Sequence, residues 1–483
     1  MLRASQATAA ARTRWYSGSS AVACAIFVLT FVIYNANGRE ISSWDSQPTK
    51  YAAIELANYH TLTLDRVVMV TPALAARYGF ATDLQGHVRS GYPVLPSIVA
   101  GGVALLLHQT GRAVAAAHLG DGFDLTAPAA ATLVAKLTAS LLTAFAAALA
   151  FVVARRRLTS ALALAVAIGF GLGTNLWAQA SQTLWQTETV VAALCGAAAC
   201  LAAPAAQLTT RRLWFASLCL GLAGAARPQI APVVAVLSLS IVVRRRRWPD
   251  MFAILPGVAV AAITVYANAR WFGDPLGAVY RLEQMHGQLH GVVGSLGSPL
   301  TGAFGLLFSP SRGLLVFSPV VLVALGGTGA LLREGWDGDL RWWGIAAVVQ
   351  FAVYASYSVW WGGHTYGPRY CLDILPLLVP IAAAGLPWFA ERPWRATLAA
   401  AALAWSILLA ATGAFVYPFE QWNNVPVGVD LNHDRLWDWR DAQFVRCWHA
   451  GWSPSNFKLL TIDAVRRRAV PIVDTGRESR SRD

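Results

Sequence analysis

The chain has 483 residues, 56% of them hydrophobic and 13% charged, with a mean hydropathy of +0.47. That balance excludes an ordinary soluble enzyme and reads as a polytopic membrane protein. The formal charge of +13 does not mark a nucleic-acid binder, because Lys and Arg stand in short clusters between apolar runs, where they act as topology signals.

Spans are read from apolar runs near the length a bilayer requires, and orientation from Arg and Lys. Arg3, Arg12 and Arg14 precede an apolar run at 21–34. It resembles a secretory signal, but no small-residue cleavage site follows, so it reads as an anchor running outward from a cytoplasmic N-terminus. The Arg155-Arg156-Arg157, Arg211-Arg212 and Arg244-Arg245-Arg246-Arg247 clusters are then cytoplasmic. A span at 129–153 descends to the first cluster and leaves 38–127 outside as a large first loop. Within it, 93–108 is apolar but short and opens on Tyr92-Pro93; parity makes it re-entrant or interfacial.

The remaining order is an ascending span at 161–177, an outer turn at 178–188 and a descending span at 189–203. A hairpin of two short spans at 213–243 follows, with Arg227-Pro228 at its outer tip. A span at 252–269 ascends to a second outer loop at 270–301. Further spans are expected at 314–332, 342–361, 374–389 and 396–417. The expected fold is an all-α polytopic membrane protein of about eleven spans. It divides into a transmembrane domain, 1–417, and an extracytoplasmic C-terminal segment, 418–483, whose end at 476–483 is polar and reads as disordered.

On this scheme all nine histidines lie on the outer side, so the working face is outward. No phosphate-cradling GxxxxGK[ST] loop occurs. An outward enzyme therefore needs a substrate already activated on a lipid. The six cysteines form no CxxC pair. Cys371 and Cys447 both fall outside, where spacing leaves open whether they pair.

Asp45, in the polar stretch after the first span, is the leading catalytic candidate. Two readings stay open: an N-cap on a surface helix, given Pro48 behind it, or a base that accepts the proton of an acceptor hydroxyl. Lys136 sits early in a span and either snorkels outward or meets an anion. Arg312, in SPSRG at a span mouth, is an interfacial anchor or a forked phosphate ligand. The loop WWGGHTYGPRY contains His364, Tyr366 and Arg369, with Arg369 close to Asp373 as an Arg–Asp pair. Trp185, Gln186 and Glu188 lie at another outer turn and can contact sugar, and aromatic anchoring explains Trp185 equally well. His286 and His290 stand four apart, but no carboxylate pair completes a metal site, and a polar surface helix is the better reading.

These pieces resemble the GT-C class of membrane glycosyltransferases, which use polyprenyl-phosphate sugars and include the protein O-mannosyltransferases and the lipid A aminoarabinose transferases. The matching motifs are WDSQPTKYAAIEL, SGYPVLPS, SQTLWQTE, NARWFGDPLGAVY, SPSRGLLVFSPV, GGHTYGPRYCLDILP and YPFEQWN. The resemblance implies inverting transfer of a sugar from a polyprenyl-phosphate donor to a hydroxyl of a glycan, lipid or protein. Asp45 matches the acidic residue of the first outer loop; Arg312 and Arg369, with Lys50 behind them, are candidates for the leaving phosphate. Two departures stand out. Tyr92-Pro93-Val94-Leu95 replaces an expected second proline and glycine, and Glu188 occupies a position where related chains often carry histidine. The first loop lacks the acidic pair of metal-dependent members, so no obligatory metal or other cofactor is expected. The alternatives are a transporter or flippase of a lipid-linked glycan, which would favour charges near the midplane and broken helices, and a non-catalytic binder of lipid-linked sugar.

Overall fold

A computed structural model describes residues 2–77, 79–117, 125, 128–245, 251–278, 297–336 and 338–452. The expected histidine pair and the polar end at 476–483 lie outside the described residues, as does most of the loop at 270–301. In chain order the main helices are α1 (Leu2–Asn35), α2 (Gln47–Tyr59), α3 (Leu95–Ala116), α4 (Pro128–Ala154), α5 (Ser160–Gly171), α6 (Thr187–Leu201) and α7 (Thr210–Ala226). They continue as α8 (Ala231–Arg245), α9 (Leu255–Phe272), α10 (Pro299–Phe308), α11 (Leu340–Ala355), α12 (Leu375–Ala390), α13 (Pro393–Val416) and α14 (Gln443–Ala450). A two-stranded antiparallel hairpin, β1 (Phe80–Thr82) and β2 (Val88–Ser90), interrupts the helices between α2 and α3.

By length and composition, three described helices can cross a bilayer: Ala129–Ala154, Phe252–Phe272 and Pro393–Val416. Eight more are apolar but shorter, so the expected count of about eleven spans is not reached on these criteria. The exposed surface has the chemistry of a hydrocarbon surround. Ile263 and Tyr266 on α9, Phe215 on α7 and Leu398 on α13 are all large apolar side chains left uncovered, at an extent a water-facing surface does not carry.

Helix boundaries follow local chemistry. Thr159 caps α5 by accepting from the Leu162 amide, and Thr209 caps α7 by accepting from Arg212. Pro256 and Pro393 open α9 and α13, where a missing amide proton costs nothing. Alanines of α4, including Ala139, Ala146 and Ala150, are fully buried and let α1, α5 and α6 pack closely on it. Gly257 of α9 lies against Ser217 and Gly221 of α7, with room for no Cβ.

The hairpin expected around Arg227-Pro228 is present as α7 and α8, broken at Pro228–Ile230. Three expected features differ. The segment expected at 93–108 is a continuous helix reaching Ala116. The span expected at 161–177 ends at Gly171, and a π-turn at Leu176–Ala180 leads into a buried stretch where Ser181, Gln182 and Thr183 are fully covered; it is no exposed outer turn. The span expected at 314–332 is broken into Leu314–Phe317, Pro319–Gly327 and Thr328–Arg333. Pro319 removes a donor there, and the Val320 amide is satisfied by Ser406 Oγ of α13 at 3.1 Å.

The arginine clusters do gather at one end of the bundle. Arg156 and Arg244 both donate to carbonyls at the end of α6 and the turn after it, and Arg157 pairs with Asp339 before α11. At the opposite end Lys136 of α4 donates to the Tyr34 carbonyl at 2.8 Å and to Gln182 Oε1 at 2.6 Å. Neither expected outcome applies to it. The ammonium is wholly buried and meets neutral oxygens, with no direct contact to an anion. The same Gln182 oxygen accepts from Asn37 at 2.7 Å, and Asn37 also donates to the Ala414 carbonyl of α13 at 2.9 Å.

A buried cation that loses its acceptor is worse off than acceptors that lose their cation. Gln182→Leu is therefore expected to lower the thermal unfolding midpoint in detergent more than Lys136→Met does, the latter costing about 1–3 kcal/mol. Equal midpoints for both variants and the native chain would remove this network from the structural account.

Candidate active site

Asp45 lies in a short 3-10 turn, Trp44–Ser46, at the end of the bundle that carries Lys136. The capping reading does not hold. Ser46 occupies the cap position of α2, its hydroxyl donates back to the Ser43 carbonyl at 2.9 Å, and no side chain caps the helix. The Asp45 side chain, 26% exposed, instead receives Arg369 Nη2 on Oδ2 at 3.2 Å. The two residues are 324 positions apart in the chain.

Arg369 is delivered by a loop whose path needs left-handed backbone at Gly362 and Gly363, with φ of 75° and 70°, conformations open to glycine at little cost. Its guanidinium lies over the Trp185 indole at 4.1 Å. Three polar segments thus converge: the first loop with Asp45, the SQTLWQTE stretch with Trp185, and the glycine loop with Arg369.

Other candidates are placed differently. Lys50 is buried and paired with Glu40 at 2.8 Å, while the second Glu40 oxygen receives the Thr183 hydroxyl. Lys50 therefore braces the first loop against SQTLWQTE through Glu40. Arg312 is fully buried, and its donors go to the Trp361 carbonyl at 3.0 Å, the Ser311 carbonyl at 2.8 Å and Gln443 Oε1 at 2.8 Å. They also reach the Gly363 carbonyl at 3.2 Å and Asn423 Oδ1 at 2.7 Å. With no surface and neutral acceptors on every nitrogen, it clamps the glycine loop to the C-terminal segment and is not a ligand at a span mouth. Tyr366 is buried and donates to the Leu409 carbonyl at 2.8 Å. His364, half exposed, faces Asp430 at 3.0 Å.

The expected Arg369–Asp373 pair is not made. Asp373 binds Arg227 at 2.9 Å and receives the Tyr354 hydroxyl; Arg227 also donates to Thr187 at 3.0 Å. Glu188, one residue on, is fully buried in the first turn of α6 with no side-chain hydrogen bond. Its carboxyl lies within electrostatic range of Asp373 and Arg227. Cys371 and Cys447 are both free thiols.

Glu40 and Arg227 were not identified from sequence as site-building residues. A carboxylate directly after Arg39 and an arginine directly before a proline in an apolar hairpin were the available signals. Among the described residues, no group of three or more His, Cys, Asp or Glu side chains converges as a metal site would require.

No family model and no curated protein matches the chain. Solved structures do. ArnT from Cupriavidus metallidurans bound to undecaprenyl phosphate is similar at 14% identity and a TM-score of 0.43, over 94% of this chain and 78% of that one. The Archaeoglobus fulgidus oligosaccharyltransferase tethered with an acceptor peptide containing the NVT sequon is similar at 12% identity and a TM-score of 0.47, over 88% of this chain. AglB of the same organism, in complex with an inhibitory peptide and a dolichol-phosphate, is similar at 13% identity and a TM-score of 0.42, over 88% of this chain. The chain spans only 59% and 60% of those two structures' lengths.

The C-terminal segment that packs on the site end carries Glu420. Burial pushes the Glu420 carboxyl up to about 7, with Tyr417, Cys447 and Arg39 around it. A folded-state value above the unfolded one means that Glu420 contributes stability in full below the usual carboxylate range and loses it as pH rises through about 7. Amide exchange in residues 418–452, corrected for its intrinsic pH dependence, is expected to be faster at pH 8 than at pH 5.5. Glu420→Gln should abolish the difference, and a difference that survives this substitution assigns it to another group.

Proposed function

We propose that the chain is an integral membrane glycosyltransferase of the GT-C kind, moving a sugar from a polyprenyl-phosphate donor to an acceptor hydroxyl with inversion. The observation that carries this reading is the Asp45–Arg369 pair, which joins a base and a phosphate-binding group over the Trp185 face. Asp45 Oδ1 is the free face of the carboxylate: it takes the acceptor proton as the acceptor oxygen attacks the anomeric carbon. The bond from that carbon to the phosphate oxygen breaks, and the electron pair leaves with the lipid phosphate. A guanidinium placed where that charge develops stabilises the transition state more than the ground state. Arg369 supplies it, and no obligatory metal is assigned.

The arginine clusters gather at the end opposite Asp45. The positive-inside rule then puts the N-terminus in the cytoplasm and the site, with the C-terminal segment, outside. The sugar, the choice of hexose or pentose, and the acceptor, whether glycan, lipid or protein, are left open by this chemistry.

Buried charges at Lys136, Arg227 and Asp373 and the broken helices at 172–181 and 314–333 are features a lipid-linked glycan transporter would use. Each of these charged groups is already bonded within the protein, which favours the enzyme.

In reconstituted membranes supplied with a polyprenyl-phosphate sugar, Asp45→Asn is expected to lower the transfer rate about 10²–10⁴-fold, and Arg369→Ala about 10²–10³-fold. Transfer by the native chain with Asp45→Asn undiminished would remove Asp45 as the base. Directional movement of the lipid-linked sugar with no new glycosidic bond would establish the transporter instead.

A further inference from the structure

Helices α7 and α9 touch closely at one level and leave a gap between them at another. At the contact, Ser217 Oγ donates to the Ile254 carbonyl at 2.9 Å and accepts from the Gly257 amide at 3.0 Å. Gly221 meets Gly257 backbone to backbone, where a Cβ added to Gly221 would stand 2.7 Å from the Gly257 Cα. Small residues allow this approach. Toward the start of both helices the side chains are large and uncovered: Trp214 and Phe215 of α7 are exposed, as are Phe252 and Leu255 where α9 begins. A crevice of about 520 Å³ lies there, lined by Thr210, Arg211, Trp214, Phe215, Leu218 and Pro256.

Two observations fix what this crevice can hold. The first is its surround. Almost none of α9 is covered by the rest of the protein, so the apolar wall of the crevice is continuous with the surface that faces hydrocarbon. The second is its rim. α7 begins just past the turn after α6, whose carbonyls take Arg156 and Arg244, so the crevice sits at the arginine end of the bundle. Arg211 and Thr210 are both exposed there, while Arg212 is turned to the Gln207 carbonyl at 3.2 Å.

A guanidinium in the lining distinguishes this crevice from a plain gap between helices. The hollow of about 270 Å³ between α5, α12 and α13 has no charged residue among the described residues that line it. An arginine at headgroup level above an apolar wall is complementary to a lipid with net negative charge, because the guanidinium fork fits a phosphate and the wall fits an acyl chain.

We propose that the crevice between α7 and α9 is a binding site for one anionic phospholipid of the leaflet at the arginine end. Its acyl chain lies along Phe215 and Leu218, and Arg211 holds its phosphate. The site is at the opposite end of the bundle from Asp45 and does not depend on the reading of that residue.

Native mass spectrometry reads the site on the full chain released from nanodiscs that hold equal amounts of phosphatidylglycerol and phosphatidylcholine with the same acyl chains. Phosphatidylglycerol is expected to be retained several-fold more than phosphatidylcholine. Arg211→Gln should bring the two lipids to equal retention. Arg333→Gln removes another exposed arginine, one that lines neither hollow, and should leave the preference intact. Leu218→Trp fills the crevice and should lower retention of phosphatidylglycerol with Arg211 still in place. Phosphatidylglycerol carrying a diazirine in its acyl chain is expected to label peptides that contain residues 214–218 and 252–258.

Equal retention of the two lipids by the native chain overturns the site, as does a preference that survives Arg211→Gln. A preference lost equally in Arg333→Gln makes it a property of overall surface charge and overturns the site too. Label confined to other helices refutes the location, and a dimer mass without lipid assigns the crevice to a second copy of the chain. Arg211 is exposed, so its variant is expected to fold, and an unchanged thermal midpoint in phosphatidylcholine alone verifies it.

Discussion

A buried ammonium whose hydrogen bonds go to neutral oxygens is the constraint on which the site end of this bundle depends. Lys136 cannot lose its two oxygens without leaving a charge stranded among apolar helices, so Tyr34 at the end of α1 and Gln182 after α5 must both be where they are. Gln182 passes the requirement on through Asn37 to α13 and through its amide to the Trp177 carbonyl at 2.7 Å. The first loop is thereby registered against SQTLWQTE before Asp45 is reached. The Glu40 carboxylate, bridging Lys50 and Thr183, repeats the bracing one turn closer to the site.

The other half of the site is held by a second set of buried polar groups. Arg312 gathers carbonyls of the glycine loop and amides of the C-terminal segment. Arg227 and Tyr354 fix Asp373 at the end of that loop. Between these two anchors the chain carries Arg369 to Asp45. A salt bridge of this exposure contributes little stability by itself; its geometry is a by-product of anchors that contribute much more. Site precision here comes from rigid surroundings, with the reactive pair left partly open to solvent.

Much of the frame was legible in the sequence. Hydropathy located α4, α13 and the α7–α8 hairpin to within a few residues, because continuous apolar runs have few other fates. The first loop, SQTLWQTE and the glycine loop were legible as separate motifs on one side of the membrane. What escaped were pairings across long chain separations. Arg312 and Lys50 look like available cations until Gln443, Asn423 and Glu40 are placed beside them. Asp373 looks like the partner of nearby Arg369, yet it is matched to Arg227 from another hairpin. The stretch at 178–188 is polar and reads as an outer turn, whereas much of it is buried, with Gln179 bonded to Thr365 and Thr183 to Glu40. Local pattern reports polarity, and a membrane protein can satisfy polarity internally.

Arg39 links the two ends of the helical domain. Standing just after α1, it donates to the Phe415 carbonyl at 2.8 Å and the Tyr417 carbonyl at 3.0 Å, where α13 ends, and stacks on Phe419 at 4.3 Å. The end of α1 is thus tied to the end of α13 across 376 residues of chain. During synthesis at about 5–20 residues per second, roughly 20–75 s separate the emergence of the two partners. Over that interval the end of α1 has no permanent neighbour at this point and α13 has not been made. These contacts of Arg39 can form only once α13 has entered, so they belong to the later events of assembly.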